Sequence, residues 1–382
     1  MKKAKKEMDP EKMQSLLRNE KAVKGIAREI SRLAGKHGAR IMHVCGSHEH
    51  TATRFGLRTL LPANVDLIAG PGCPVCVCSS ADIRDAIEVA KKGAILTTFG
   101  DMMRDRTQHG SLEDARATGA DVRMVYSPLD AVQMAKDNPR REVAFFGVGF
   151  ETTAAPVASM VSGDFPANFS ILTSFKLTSP AVDALLTSGK HHLDGIIAPG
   201  HVSTVVGAVD WARFPEKYGV PAVVAGFEPA DLLLAILKIL QQMKAGKPKV
   251  ENEYTRLVRF EGNPHAQEAM RNAFDVKPAF WRGIGMIPDS GLFLKERWSD
   301  FDAKKKFEIH SSIDSEKDLP KGCHCDEVIV GELFPNECPL FGKTCTPASP
   351  YGPCMVSGEG TCYIWHRFGD PREMRKLMAG RK

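Results

Sequence analysis

The chain has 382 residues, is 43% hydrophobic and 25% charged, and carries a net charge of +5, with 33 Gly and 24 Pro. At roughly 100–200 residues per domain this length suits two or three packed cores, and so even a charge balance demands no nucleic-acid surface. The charged MKKAKK start lacks the apolar core of a secretory signal, and no apolar run approaches the roughly 18 residues of a membrane span. A cytoplasmic protein is expected, with Arg372, Arg375, Lys376, Arg381 and Lys382 as a solubilising basic tail.

Asp9-Pro10-Glu11 opens a helix, since Asp can cap and Pro suits the first turn. Ile26, Ile30 and Leu33 continue one apolar stripe, which Gly35 and Gly38 end. Short apolar runs then alternate with amphipathic stretches. The predicted strands are Arg40–Val44, Val65–Ala69, Ala94–Phe99 and Val122–Tyr126, followed by Glu142–Val148, Phe169–Thr173, Asp194–Ala198 and Pro221–Ala225. The helical stretches between them include Ala81–Lys92, Ala131–Asp137, Ser179–Ser188 and Ala230–Lys244. Strand–helix alternation repeated twice predicts an α/β protein with two parallel-sheet domains flanked by helices, of the doubly wound type. The expected divisions are a helical segment over 1–38, one α/β domain over 39–138, a second over 139–250, and a small cysteine-rich domain over 251–382. Met270 to Phe274 reads as helical; beyond Lys321, Gly, Pro and Cys dominate.

In open parallel sheets ligands bind beyond the carboxyl ends of the strands, and the unusual motifs fall there. HVCGSHEH places Cys45, His48 and Glu49 after the first predicted strand; AGPGCPVCVC places Cys73, Cys76 and Cys78 after the second; FGD places Asp101 after the third. In the second half GVGFETT places Glu151, Thr152 and Thr153, APGHVS places His201 and Ser203, and AGFEP places Glu228. The two units are expected to face each other across a cleft lined by these loops. GVGFETT has Thr152 where a third glycine would complete a dinucleotide fingerprint, so that reading fails, and Glu151 can be a first-turn carboxylate instead. His191 and His192 read as surface residues.

Ten cysteines in a reducing compartment call for metal binding or redox chemistry rather than structural disulfides. Four lie between positions 45 and 78, six between 323 and 362, and none in the 244 residues between. Cys45 and His48 can share a helical face, as joint metal ligands or as a thiolate with a stabilising imidazole; a buried thiol beside a capping His is the plainer alternative. Cys73-Pro-Val-Cys76 suits a redox dithiol or half of a zinc site, and Cys78 reads as a bystander. In the tail, Cys323, Cys325, Cys338, Cys345, Cys354 and Cys362 are irregularly spaced without a C-x-x-C repeat. Six thiols match four iron–sulfur ligands plus a dithiol better than two zinc sites.

Taken together, HVCGSHEH, GPGCPVC, GFETT, PGHVS, GFEP and the tail from CHCDEV to GEGTC closely resemble the HypD family of nickel–iron hydrogenase maturation factors, in order from about residue 39 to 366. The resemblance implies a scaffold on which Fe(CN)2CO is assembled before insertion into the hydrogenase large subunit. It also implies complexes with the small chaperone HypC and the cyanide-supplying HypE. Cys45 would hold the iron together with a HypC cysteine, with His48 and Glu49 lining that site and Cys73 and Cys76 as a reactive thiol pair nearby. Cys323, Cys338, Cys345 and Cys362 would ligate a [4Fe-4S] cluster, and Cys325 and Cys354 would form a redox dithiol beside it, an arrangement similar to ferredoxin–thioredoxin reductase. Ser47 stands where the family motif usually has Thr. The competing reading is a stand-alone iron–sulfur thiol–disulfide oxidoreductase; a zinc-stabilised binding module is a third.

Overall fold

The computed structural model describes residues 10–370 apart from 37, 162, 164, 190, 191, 311 and 313–317, so the Asp9 cap, His191 and the basic residues at both ends lie outside it. Among the described residues there are eleven strands: β1 (Ala39–His43), β2 (Val65–Ala69), β3 (Ile95–Thr98), β4 (Val122–Met124), β5 (Val143–Gly149), β6 (Phe169–Lys176), β7 (Gly195–Pro199), β8 (Ala222–Ala225), β9 (Val250–Asn252), β10 (Phe274–Trp281) and β11 (Gly285–Leu294). The first eight coincide with the predicted runs to within three residues at either end. Ser79, Ser111 and Ser127 cap the helices Ser80–Lys91, Leu112–Ala117 and Pro128–Asp137, each accepting a first-turn backbone N–H and so fixing where strand gives way to helix.

The strands form two sheets, in the orders β2-β1-β7-β8-β9 and β10-β11-β6-β5-β3-β4. All pairings in the first are parallel. In the second, β4, β3, β5 and β6 are parallel, and the hairpin β10–β11 joins the edge antiparallel through Gly291 and Leu292. The doubly wound α/β class expected from the sequence is therefore present. The expected divisions at 138 and 250 are not. The chain passes from one sheet to the other three times, after β2, β6 and β9, so each sheet mixes segments from both halves. In β1, Ile41 lies beside Gly195 of β7, 154 positions later. Periodicity marks a strand but carries no record of its neighbour, which is why contiguous domains were the natural sequence-level expectation.

The tail is not a separate body either. Residues 250–252 extend the first sheet and 274–294 the second. Cys325, Val328, Ile329, Cys354, Met355 and Cys362 share one apolar core with Met42, Ile68, Leu96 and Phe146 of the sheets. A second core lies between β5, β6 and the helices Glu151–Val161 and Pro264–Ala273. In a third, the amphipathic helix Glu20–Ala34 and the helix Pro229–Ala245 bury Ile30, Leu232 and Ile236 against β1 and β8. Among the described residues no helix is long and apolar enough to cross a membrane.

An ion pair locks the hairpin onto the loop after β3. Arg282, in the turn between β10 and β11, donates to both carboxylate oxygens of Asp105 at 2.9 and 3.0 Å, and each residue is 1% exposed. Its Nε donates to the Asp318 carbonyl at 2.9 Å and its backbone N–H to that of Val77 at 3.0 Å. Removing one member of such a pair strands the other charge in the core. Arg282→Met should therefore lower unfolding free energy by about 3–5 kcal/mol in urea titrations, and adding Asp105→Asn to it should restore a large part of that loss.

Candidate functional site

Renumbered within its own unit, the first sheet runs 2-1-3-4-5 and the parallel part of the second runs 2-1-3-4. Strand order reverses between β1 and β7 in one and between β3 and β5 in the other, and the crevice at such a reversal is where open α/β sheets bind ligands. Cys45 stands two residues past β1, in extended backbone (φ −161°, ψ 133°) at the N-terminus of the helix Gly46–Arg54. Burial, reinforced by the Glu359 carboxylate, pushes its thiol up to about 11, with the Ser47 and His48 amides pulling the other way. Three loops meet at this cysteine. A Cβ on Gly72 would strike the Cys45 backbone, and one on Gly46 would strike Glu359 of the tail. The Gly46 N–H donates to the Gly72 carbonyl at 3.2 Å, and Gly70 to that of His43 at 2.8 Å. The glycines of CGSHE and GPGC are thus required by close backbone approach.

His48 and Glu49 behave differently from each other. The His48 Nε2 donates to the Ala225 and Gly226 carbonyls, at 3.3 and 3.0 Å, which leaves the lone pair on Nδ1, a buried atom without a hydrogen-bond partner. Burial and neighbouring His43 push the imidazole down to about 3, so it is neutral at physiological pH. Its ring stacks on Phe227, with His201 of the helix Gly200–Val206 after β7 stacked on the same ring at 3.9 Å. Glu49 is 1% exposed and accepts from Arg58 Nη1 and Nη2 (2.8 and 2.7 Å), His43 Nε2 (2.8 Å), Thr53 Oγ1 (2.6 Å) and Trp365 Nε1 (2.8 Å). Burial opposes its ionisation, but Arg58 and His43 outweigh burial and hold it well below the usual carboxylate range. With its oxygens so occupied, Glu49 is an anchor, not a proton carrier. It ties the Cys45 helix to the helix Thr361–Phe368, which carries Cys362.

Cys73 and Cys76 form a disulfide with Cα atoms 5.4 Å apart, and both are buried. The Cys76 sulfur lies 3.9 Å from the Pro353 carbonyl, next in sequence to Cys354. The Cys354 and Cys325 sulfurs are 2.7 Å apart. All six tail cysteines line one apolar pocket, with Val328, Leu340, Phe341 and Met355 as walls. Among the described residues no three His, Cys, Asp or Glu side chains converge on a point as one metal ion requires. Six thiols sharing one apolar pocket are instead a donor set of the kind an iron–sulfur cluster takes, each iron with its own thiolate. Burial and the neighbouring thiols raise Cys323 and Cys362, and Cys354 is raised by its contacts with Cys325 and Cys362. So many thiols in an apolar pocket ionise together only around positive charge, so the donor set fits an iron–sulfur centre.

The remaining motif residues divide. Asp101, after β3, accepts from Ser357 at 2.7 Å and so joins the tail to the Cys45 surroundings. Glu228 pairs with Arg18 at the helix start, and Ser203 accepts from the buried Trp211 indole. Glu151 receives the Thr178 N–H and hydroxyl at 2.7 Å each, burial raises it to about 7, and it lines a cleft with Asp183, Asp210 and Arg213 in which no cysteine takes part. Cys78 is buried, raised to about 12 by burial, and 3.5 Å from Ser174, outside the chain of sulfurs. His192 is exposed beside Asp194, in keeping with a surface role. His43, Arg58, Trp365 and Glu359 were not read from the sequence; only the spacing of tail aromatics against the helix stripe could have pointed to Trp365.

Because Glu49 is ionised in the fold at pH values where the unfolded chain takes up a proton, its stabilisation is complete above the unfolded carboxylate pKa, about 4.3, and is lost as pH falls below that. Glu49→Gln should cost about 3–5 kcal/mol at pH 7, since Arg58 loses its counter-charge. It should also flatten the acid limb of the stability profile, measured by urea unfolding between neutral pH and pH 3.

Residues 21–369, a span that holds all ten cysteines, match the HypD family model, described as the hydrogenase formation hypA family. The chain is 44% identical over 349 residues to the hydrogenase maturation factor HypD of Azotobacter vinelandii, covering 88% of this chain and 91% of that protein. It is 44% identical over 346 residues to a putative hydrogenase expression/formation protein of Methanocaldococcus jannaschii, covering 89% and 95%. To the HypD of Rhodobacter capsulatus it is 41% identical over 373 residues, covering 94% and 99%. With both sheets, the Cys45 loop and the cysteine tail inside these matches, the chain belongs to the HypD family of hydrogenase maturation factors.

Proposed function

We propose that this chain is the scaffold on which the Fe(CN)2CO group is assembled, in a complex with HypC and HypE, and that its thiols supply the electrons for that assembly. The observation that carries the reading is the succession of cysteine-bearing loops brought into contact: the Cys45 backbone against the Gly72 turn, Cys73 and Cys76 next along that turn, Cys76 beside the Pro353 carbonyl that precedes Cys354, and Cys354 beside Cys325. Cys45, with one cysteine from HypC, holds the iron as substrate, because low-spin iron with cyanide and carbonyl ligands is a soft centre that thiolates suit. His48 keeps a neutral ring beside it, and Glu49 fixes the helix that bears both.

Cys323, Cys338, Cys345 and Cys362 are the residues that would hold a [4Fe-4S] cluster. That leaves Cys325 and Cys354 as the dithiol, which their 2.7 Å contact supports. When bound, the cluster supplies electrons singly at a potential tuned by its thiolates and nearby amides. Release of cyanide from a thiocyanate donor consumes two electrons and gives a thiolate and CN⁻. Oxidation of one dithiol to a disulfide yields two electrons and two protons, so one dithiol matches one cyanide. A stand-alone oxidoreductase acting on foreign disulfides fits less well, since Cys73 and Cys76 are 5% and 0% exposed.

Anaerobic co-purification with HypC, followed by iron and acid-labile sulfide analysis and infrared spectroscopy, tests the reading. Cys45→Ala should retain cluster iron and the fold but lose the CN and CO bands, because Ala offers no donor. Bands of normal intensity in that variant would overturn the scaffold assignment. Cys325→Ser should keep full cluster absorption yet slow cyanide-ligand assembly at least about tenfold, an effect of 1.4 kcal/mol or more on the barrier.

A further inference from the structure

Tyr351 bonds to a tail thiol through its backbone and closes one side of the tail pocket. Outside it lies a cleft of about 440 Å³ lined by Arg106, Arg282, Lys321 and Tyr351. The Tyr351 N–H donates to the Cys345 sulfur at 3.4 Å, and its hydroxyl donates to the Lys321 carbonyl at 3.2 Å. Lys321 is two residues before Cys323, whose sulfur sits so close to Gly352 that no Cβ could be placed there. Of the six tail thiols only Cys323 and Cys338 are half-buried; the other four are buried. This cleft therefore lies beside Cys323, one of the two tail thiols that are not fully buried.

Its rim is cationic. Arg106 and Lys321 are exposed, as is neighbouring Arg104, which donates to the carbonyls of Pro347 and Val356 and keeps its charge. Arg106 shares part of its charge with exposed Asp114 at 3.0 Å. On the floor Asp105 neutralises Arg282, and Asp318 is bonded to Ser80. The tail carboxylates Glu327, Glu332 and Glu337 do not line the cleft.

We infer that this cleft receives a small acidic iron–sulfur electron carrier, a protein of the ferredoxin class, and is where reducing equivalents enter the chain. The inference rests on the cluster reading above. Two reduced carriers dock in turn and each gives up one electron. With two protons from solvent, the Cys73–Cys76 disulfide becomes two thiols and both carriers leave oxidised. Opposite charge on the two surfaces steers the encounter and sets its orientation, and added salt screens it.

The experiment uses the full chain, purified anaerobically, with a reduced acidic [2Fe–2S] ferredoxin as probe. Stopped-flow absorption follows ferredoxin oxidation, alkylation mass spectrometry follows thiols at Cys73 and Cys76, and calorimetry reads binding of the oxidised carrier. Two ferredoxins should be consumed per disulfide, with a rate that falls steeply as salt is added. The double variant Arg106→Glu/Lys321→Glu should slow the reaction by about 10- to 1,000-fold at low salt and weaken binding in parallel. Its iron, sulfide and reduction by dithionite should stay at wild-type levels. Lys321→Gln, which alters one exposed side chain, should give an intermediate loss. Wild-type rates and affinity in the double variant with iron and sulfide intact would overturn the docking site alone. Wild-type protein without iron and acid-labile sulfide would overturn both this inference and the cluster reading.

Discussion

The Glu49 carboxylate is the point at which distant parts of the chain are made to agree. It lies in the first turn of the helix after β1, and its donors come from β1 itself (His43), from the same helix (Thr53), from the turn that follows (Arg58) and from the last described helix (Trp365). A buried charge is tolerated only when its hydrogen-bonding capacity is met, so each donor is needed where it stands. Arg58 also faces the Trp365 ring, 5.5 Å from its centroid, and Trp365 stacks on Phe334. The position of Cys45 relative to the tail thiols therefore follows from one ionised group with few alternatives.

Around that anchor the chemistry is arranged by backbone proximity more than by side-chain reach. Three loops come within contact of Cys45 because Gly46, Gly70 and Gly72 lack a Cβ. The disulfide turn meets the tail at Pro353, and the tail is held over β1 and β2 by the Arg40 bond to Gly331. Polar clamps such as Arg282 with Asp105 lie one layer further out, and they keep the Cys76–Cys78 turn from drifting away from the helix Cys325–Ile329.

Much of this was legible in the residues. Strands up to Ala225 are short apolar runs ended by turn formers, and the motifs after them sit at the sheet edge that α/β proteins use for ligands. The hairpin of 274–294 escaped because its alternation is weak: Lys277 and Asp289 are exposed and Pro278 and Pro288 interrupt it, with Pro278 on the edge strand at a register shift and Pro288 in the part of β11 that pairs only with β10. The pairing of β1 with β7 escaped for a different reason, since adjacency is set by the packing of whole units and not by any local signal. Glu49 was placed at the site from its motif, but its role as an anchor depends on Trp365, 316 positions away.

The threefold exchange of the chain between sheets bears on how the molecule comes into being. During synthesis β1 and β2 emerge first but gain their neighbour β7 only about 150 residues later, and the second sheet waits for 285–294 to cover its edge. Contacts of such long separation fold slowly and leave sheet edges open meanwhile. The indole that completes the Glu49 shell arrives last of all. A nascent or truncated chain thus leaves the Glu49 carboxylate beside the Cys45 loop short of a donor, and the full arrangement of these cysteines needs the tail in place. Completion of the tail is in this sense the step that brings Cys45, the Cys73–Cys76 disulfide and the tail thiols into register.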